Sequence, residues 1–328
     1  MNVFITYDYE LYFGEPTGTV EKCIIQPTNL ITQIAEKTGV KMVFFIDVGY
    51  IKKLIEYKHQ FPKVEKEYQL VVNQVQDLVN KGHDCQLHIH PHWEDCTHNG
   101  NQWNMVVNRY KLNDFSDNEI ENIIVEYKQI LENITQQPVI AYRAGGWCLQ
   151  PFNRVKKAFK KAGLKIDSTV FPGGKNVKGN YYYDFTSVPN KDKWTFSDNL
   201  CVEDVQGEFT EYPISNYKYS KWFFWRLFIL GRLNPKQHKP IGDGYPIPSI
   251  GMKKQMLTKG MTLSAGVDGY FSTKMNQVLK KNIKNGWNNT VFIGHPKATT
   301  YFALHQLEKF INENKKKVKF KTFLELAE

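Results

Sequence analysis

Residues 83–93 read HDCQLHIHPHW, which sets His88, His90 and His92 two residues apart and puts three of the chain's nine histidines in five positions. On an extended strand, side chains two apart share a face. The spacing therefore presents several imidazoles to one region of space. Neutral imidazole is a ligand for divalent metals, and two histidines plus one carboxylate, with a position left for water, is the composition of a catalytic zinc site. His90 faces the same way as its neighbours only if the strand persists past Pro91. Otherwise it stands behind the other two.

The other residue types that such chemistry needs recur at the ends of apolar runs. Asp8 and Glu10 lie two apart in TYDYE, Arg143 ends the run in VIAYRAGGW, and His295 ends TVFIGHP. Each has a plainer explanation taken alone. A carboxylate just past a strand caps the helix that follows, and a single histidine is more often packed than functional. Four strand ends that carry carboxylate, imidazole and guanidinium are harder to explain that way. In an α/β barrel such ends converge on one rim, where the active site forms.

The elements that would position these residues follow from the hydrophobic pattern. Buried strands are expected at Asn2–Asp8, Lys41–Asp47, Asp84–His88, Val139–Arg143, Lys165–Asp167, Glu208–Ile214, Thr290–His295 and Val318–Phe323. Helical spacing is read over Asn29–Lys37, Val64–Lys81, Asp117–Asn133, Phe152–Ala162, Tyr217–Leu233, Ser272–Asn285 and Tyr301–Asn314. Short apolar strands that alternate with helices are the pattern of βα units on a parallel sheet. The rhythm breaks over 176–211, which is rich in Tyr, Asp and Gly and suggests a β-hairpin insertion. No linker or repeat divides the chain, so 1–328 is expected to be a single domain. Nor does any G-x-G-x-x-G or P-loop mark a nucleotide-binding open sheet. With about seven or eight βα steps, the expected fold class is α/β, a distorted (β/α)7-type barrel in preference to an open doubly wound sheet.

The 328 residues carry a formal net charge of +10. Such a charge suggests an anionic partner, yet only five of the 43 basic residues are arginine. A phosphate-gripping groove usually employs Arg, so nucleic acid is not expected. Hydrophobic residues make up 41%, enough for a packed core. No apolar run reaches the ~20 residues of a membrane span. Cys23, Cys85, Cys96, Cys148 and Cys201 are odd in number and irregularly spaced, which argues against a disulfide framework and for a reducing compartment. Cys85 is expected to be a buried apolar residue and no ligand, because it lies an odd number of residues from His88. The start, MNVFITYDYE, lacks the features of a signal peptide, so a cytoplasmic protein is expected.

In order and rough spacing, TYDYE, GHDCQLHIHPHW, YRAGGW, IDSTV, EYPIS and FIGHP resemble the motifs of the polysaccharide deacetylases, the NodB-homology group of carbohydrate esterase family 4. The resemblance runs from Thr6 to His295 and is most specific over Gly82–His92. It implies that Asp8 is the catalytic base, that Arg143 orders that base and that His295 is the general acid, with Asp167 as the carboxylate supporting His295. It implies a divalent metal, foremost Zn2+ with Co2+, Ni2+ or Mn2+ as alternatives, held by Glu10, His88 and His92. The sequence departs from the pattern at Tyr9, where many members have a metal-binding acid, and at Ala144–Trp147, where the family has Pro and Tyr.

The function implied is removal of an N-acetyl or O-acetyl group from a sugar, nucleotide-linked or lipid-linked, in surface polysaccharide biosynthesis. A hydrolase of a non-sugar amide and a non-catalytic glycan-binding protein are the alternatives. The segment Tyr217–Leu233, YKYSKWFFWRLFILGRL, mixes cations with aromatics. It suits a helix packed over the barrel, or one lying in a membrane interface as a peripheral contact. The oligomeric state is not legible.

Overall fold

The computed structural model describes residues 1–247 and 252–326. Its contacts gather into two compact units, one formed by Met1–Met42 with Ile214–Lys321, the other by Val43–Pro213 with the end of the chain from Thr322.

In the first unit, the strand Asn2–Tyr9 runs parallel to Asn289–Gly294, with Thr6 opposite Ile293 and Tyr7 opposite Gly294. A short strand, Lys319–Phe320, is also parallel to it. Val3, Phe4, Ile5, Val291, Phe292 and Ile293 are almost wholly buried. This is the continuous apolar run of strands covered on both faces, and each such side chain contributes about 1.5–3 kcal/mol on burial. The helices Gln26–Thr38 and Tyr301–Asn314 supply Ile31, Leu307, Phe310 and Ile311 to the same core. Gly294 is required by close approach: a Cβ there would sit 2.3 Å from Val267 and 2.7 Å from the Tyr7 ring.

The segment expected to be one helix over Tyr217–Leu233 divides. Asn216–Tyr219 is a strand paired antiparallel with Met261–Ser264, and the helix is Lys221–Leu233. The alternation of Tyr217 and Tyr219 about Lys218 has period two, which suits a strand. The helix then starts at Ser220, whose side chain accepts a hydrogen bond from the Phe223 amide, as a serine N-cap does.

In the second unit, Val43–Asp47, Asp84–Ile89, Ala141–Ala144, Ile166–Asp167 and Phe209–Glu211 lie side by side and parallel. Trp194–Phe196 adds an antiparallel edge. The expected insertion therefore has two fates. Lys175–Asn176 with Tyr183–Asp184 forms a small separate ladder, whereas Trp194–Phe196 and Phe209–Glu211 extend the main sheet. Helices Val48–Tyr57, Pro62–Asn80, Asp117–Thr135 and Lys156–Ala162 intervene between strands. The first of these was not foreseen, because VGYIKKLIEY follows its strand without a break. The Asp117–Thr135 helix begins with a capping box in which Ser116 and Glu119 satisfy each other's amides. Both units are α/β, with parallel strands alternating with helices, as the sequence pattern requires.

Candidate functional site

In the first unit, the register that pairs Tyr7 with Gly294 brings together the next residues, Asp8 within its strand and His295 just past the end of the neighbouring one. Nε2 of His295 lies 3.8 Å from Asp8 Oδ2 and 3.8 Å from Glu10 Oε1. Its other ring nitrogen, Nδ1, is 2.8 Å from Asp268 Oδ2, and Asp268 Oδ1 accepts the His295 backbone N–H at 2.9 Å. One carboxylate thus grips both the ring and the main chain of the same histidine. The backbone bond Val267 N–H to Ile293 O places Asp268 there. Glu10 in turn faces the Lys297 ammonium at 2.9 Å, and that ammonium also donates to the Leu11 carbonyl.

Burial works against protonation of His295. The Asp268 hydrogen bond and the charges of Asp268, Asp8 and Glu10 outweigh it and raise the ring's pKa above the ordinary histidine value. Asp268 fixes the tautomer with its proton on Nδ1, and Nε2 faces the carboxylates. An imidazole oriented by one carboxylate and set beside another is the arrangement of an acid–base pair.

In the second unit, the strand register puts Asp47, His88 and Arg143 in one row and Tyr142, Asp167 and Glu211 at the adjoining strand ends. His88 Nδ1 lies 2.9 Å from the Arg143 carbonyl oxygen. A carbonyl accepts only, so Nδ1 carries the proton and Nε2 the lone pair, the tautomer of a ligating histidine whose other nitrogen is held from behind. The imidazole that stands beside His88 is His90, with ring centroids 4.8 Å apart and metal-capable nitrogens within 4.8 Å of each other. Gly145 admits the His90 ring, since a Cβ at 145 would lie 2.5 Å from its Nδ1. The extended backbone carries on through His90 before the turn Pro91–Asp95 begins. His92 falls inside that turn and is stacked between Tyr110 and Trp93, at interplanar angles of 6° and 19°. The histidine pair with the chemistry of a divalent-metal donor set is therefore His88 with His90, where the resemblance implied His88 with His92.

Arg143 is fixed by a bond from Nε to the Ser168 carbonyl at 2.7 Å and one from Nη2 to Ser168 Oγ at 3.1 Å, with its guanidinium 4.1 Å above the Phe45 ring. Asp167 accepts from Thr169 Oγ1 at 2.7 Å and from the Thr169 amide. Burial raises its pKa, against the opposing pull of Glu211, Thr169 and Arg143. Glu211 goes further up, through burial and then the Asp167 charge. Of the two buried carboxyls, Glu211 is the one whose charged form is disfavoured more. The carboxylate on the His295 ring is Asp268, which the sequence did not single out. It sits in a loop, GVDGY, with no period to betray it.

All five cysteines are free and buried. No helix among the described residues is long and apolar enough to cross a membrane.

No protein-family model matches the sequence, and no curated protein matches it. Solved structures do. Over 99% of its length the chain is similar to a protein of Mycobacterium smegmatis classed as a polysaccharide deacetylase, 88% of which is covered, with a TM-score of 0.53 and 14% identity. It is also similar over 99% of its length to the Puue allantoinase, 88% of which is covered, with a TM-score of 0.52 and 9% identity. The chain thus shares the fold of these proteins, that of the NodB-like polysaccharide deacetylases.

Proposed function

We propose that this chain is a metal-dependent hydrolase that removes an acetyl group, N-linked or O-linked, from a sugar. The observation that carries the proposal is His295, clamped by Asp268 on one nitrogen and turned towards Asp8 and Glu10 with the other. Amides have poor leaving groups, so their hydrolysis needs an acid as well as a base. In this reading Asp8 accepts the proton of the attacking water, and His295 delivers a proton from Nε2 to the departing nitrogen. Asp268 holds the ring in the required tautomer and stabilises its charged form. A divalent metal fits the donor set of His88 and His90, with Glu10 as the carboxylate that the family resemblance assigns, and when bound it would polarise the acyl carbonyl and acidify water. Zn2+ suits nitrogen and carboxylate donors best among the candidates.

The substrate proposed is a lipid-linked or nucleotide-linked sugar in the assembly of a surface polysaccharide. The exposed basic and aromatic surface of the helix Lys221–Leu233 supports the lipid-linked form. A second reading, hydrolysis of a non-sugar amide such as a ureide, is favoured by the fold shared with an allantoinase. The test is acetate release from N-acetylated and O-acetylated sugars and ring opening of allantoin-type cyclic ureides to the open-chain ureido acid, with bound metal measured in parallel. Acetate from a sugar supports the proposal. Turnover of the ureide alone supports the second reading. Bound metal with no turnover of any of them would point to a glycan-binding protein.

A further inference from the structure

The helix Lys221–Leu233 divides its apolar residues between two faces. Phe223 and Phe224 turn inward and form a cluster with Tyr219, walled by Leu227, Leu257, Tyr270 and Phe271. Trp222, Trp225, Ile229 and Leu233 turn outward and are 67%, 46%, 46% and 79% exposed. With Arg226 they fall within an arc of about 100° on a helix of 3.6 residues per turn. A core helix has no need of the outer set, because the inner face already fills its seat. Large apolar side chains gathered on one solvent face mark an interaction surface.

The charge around that face identifies its partner. Between Tyr217 and Gly260 stand nine lysines and arginines and one acid, Asp243, in a chain whose total net charge is +10. All nine cations are exposed. Asp243 accepts from the Thr19 amide and hydroxyl and does not neutralise the helix. Lys221 and Arg232 flank the apolar arc on one side and Arg226 on the other. A second copy of the chain in a two-fold contact would set these cations against themselves with no acid between. Nucleic acid would satisfy the cations and leave Ile229 and Leu233 in water. A bilayer with anionic headgroups satisfies both: aliphatic and indole groups enter the acyl boundary while lysine and arginine reach the phosphates.

We propose that the outer face of Lys221–Leu233 docks the protein on an anionic membrane surface, with Trp222, Ile229 and Leu233 inserted and Lys221, Arg226 and Arg232 at headgroup level. This does not depend on the hydrolase reading. The experiment is co-sedimentation of the full chain with vesicles of phosphatidylglycerol and phosphatidylcholine mixed roughly one to two, against vesicles of phosphatidylcholine alone, at low and at ~0.5 M salt. Expected is pelleting with the anionic vesicles at low salt, reduced at least about tenfold by high salt or by the neutral lipid. Trp222→Ser with Leu233→Ser should reduce it about tenfold as well, and neither side chain is needed for folding. Bromine-labelled acyl chains should quench tryptophan fluorescence of the unmodified protein. Four outcomes would overturn the proposal. The wild type could stay in the supernatant at low salt. Binding could be lost with Lys221→Glu and Arg226→Glu yet be untouched by Trp222→Ser with Leu233→Ser, which would mean adsorption by charge alone. A DNA duplex could bind more tightly than the vesicles. The chain could dimerise through this face with its tryptophans unquenched.

Discussion

His295 and His88 are the same residue type at the end of the same kind of strand, and their surroundings differ in charge. His295 is bonded through Nδ1 to a carboxylate and faces two more, so negative charge draws a proton onto the ring. His88 is bonded through Nδ1 to a backbone carbonyl, beside a second imidazole. A carbonyl carries no net charge, so it fixes the tautomer without holding a second proton on the ring. In the proposed reaction the first environment suits an acid and the second a metal ligand. Behind the rings stand Asp268 in one unit and the Arg143 main chain in the other.

The largest expected effects break one side of this contrast at a time. His88→Ala should abolish metal retention and lower acetate release by about 10³-fold or more. His295→Ala should lower acetate release by about 10²–10⁴-fold while bound metal, measured by atomic absorption, stays as in the wild type. If both variants lose metal equally, the two histidines do not have separate roles. His90→Ala and His92→Ala sharpen the test. Metal loss is expected with the first, and with the second a packing defect visible in thermal unfolding.

Asp268→Asn should come next, with a fall in kcat of about 10–100-fold, since a misoriented or wrong-tautomer imidazole costs much of its catalytic value. The sign of the pH effect follows from the cause of the shift. Asp268 is the largest influence raising the His295 pKa, against burial. Without it the ring loses its proton at lower pH, and the alkaline limb of the kcat/KM profile should move down. An unmoved limb would mean that another group supplies the proton.

The parts of this arrangement that were legible in sequence share a local cause. Residues two apart on a strand must share a face, so Asp8 with Glu10 and His88 with His90 could be paired from spacing alone. His92 was expected as a ligand because the family resemblance sets two histidines four apart, but Pro91 opens a turn that carries it into a stack between Tyr110 and Trp93. Asp268 had no local signal: its place is set by a bridge between Val267 and Ile293, 26 residues apart in the chain. The helix Lys221–Leu233 was visible as composition. Which of its aromatics face water is decided by Tyr219, Tyr270 and Phe271, which only the fold brings there.

A smaller effect concerns a carboxylate at the other end of the strand that carries His88. Asp84 opens the strand that leads to His88. Burial pushes its carboxyl up from 3.8 to about 6, against the bonds from Gln86 Nε2 and from the Leu324 and Phe323 amides. With a raised pKa, the folded chain binds a proton that the unfolded chain has released. Stability therefore falls as pH rises from about 4 to about 6, and about 3 kcal/mol is withheld at every higher pH. Asp84→Asn should flatten that slope in urea unfolding measured from pH 4 to 7, whatever its absolute stability. An undiminished slope would place the titration elsewhere.

The smallest effect is expected one residue further on. Cys85 is fully buried on the strand Asp84–Ile89, and its odd separation from His88 puts it on the opposite face. Burial, and then the Asp84 charge, hold its thiol well above the ordinary cysteine range. A thiol that keeps its proton is a poor metal ligand, because thiolate is the binding form. Cys85→Ser should therefore bind metal as the wild type does. It should cost about 1–2 kcal/mol of stability, because a hydroxyl replaces a small apolar group in the core. Zinc content and urea unfolding of the same sample separate the two consequences. A variant that is stable but loses its metal would bring Cys85 into the ligand set and end the argument that strand face alone sorts ligands from core.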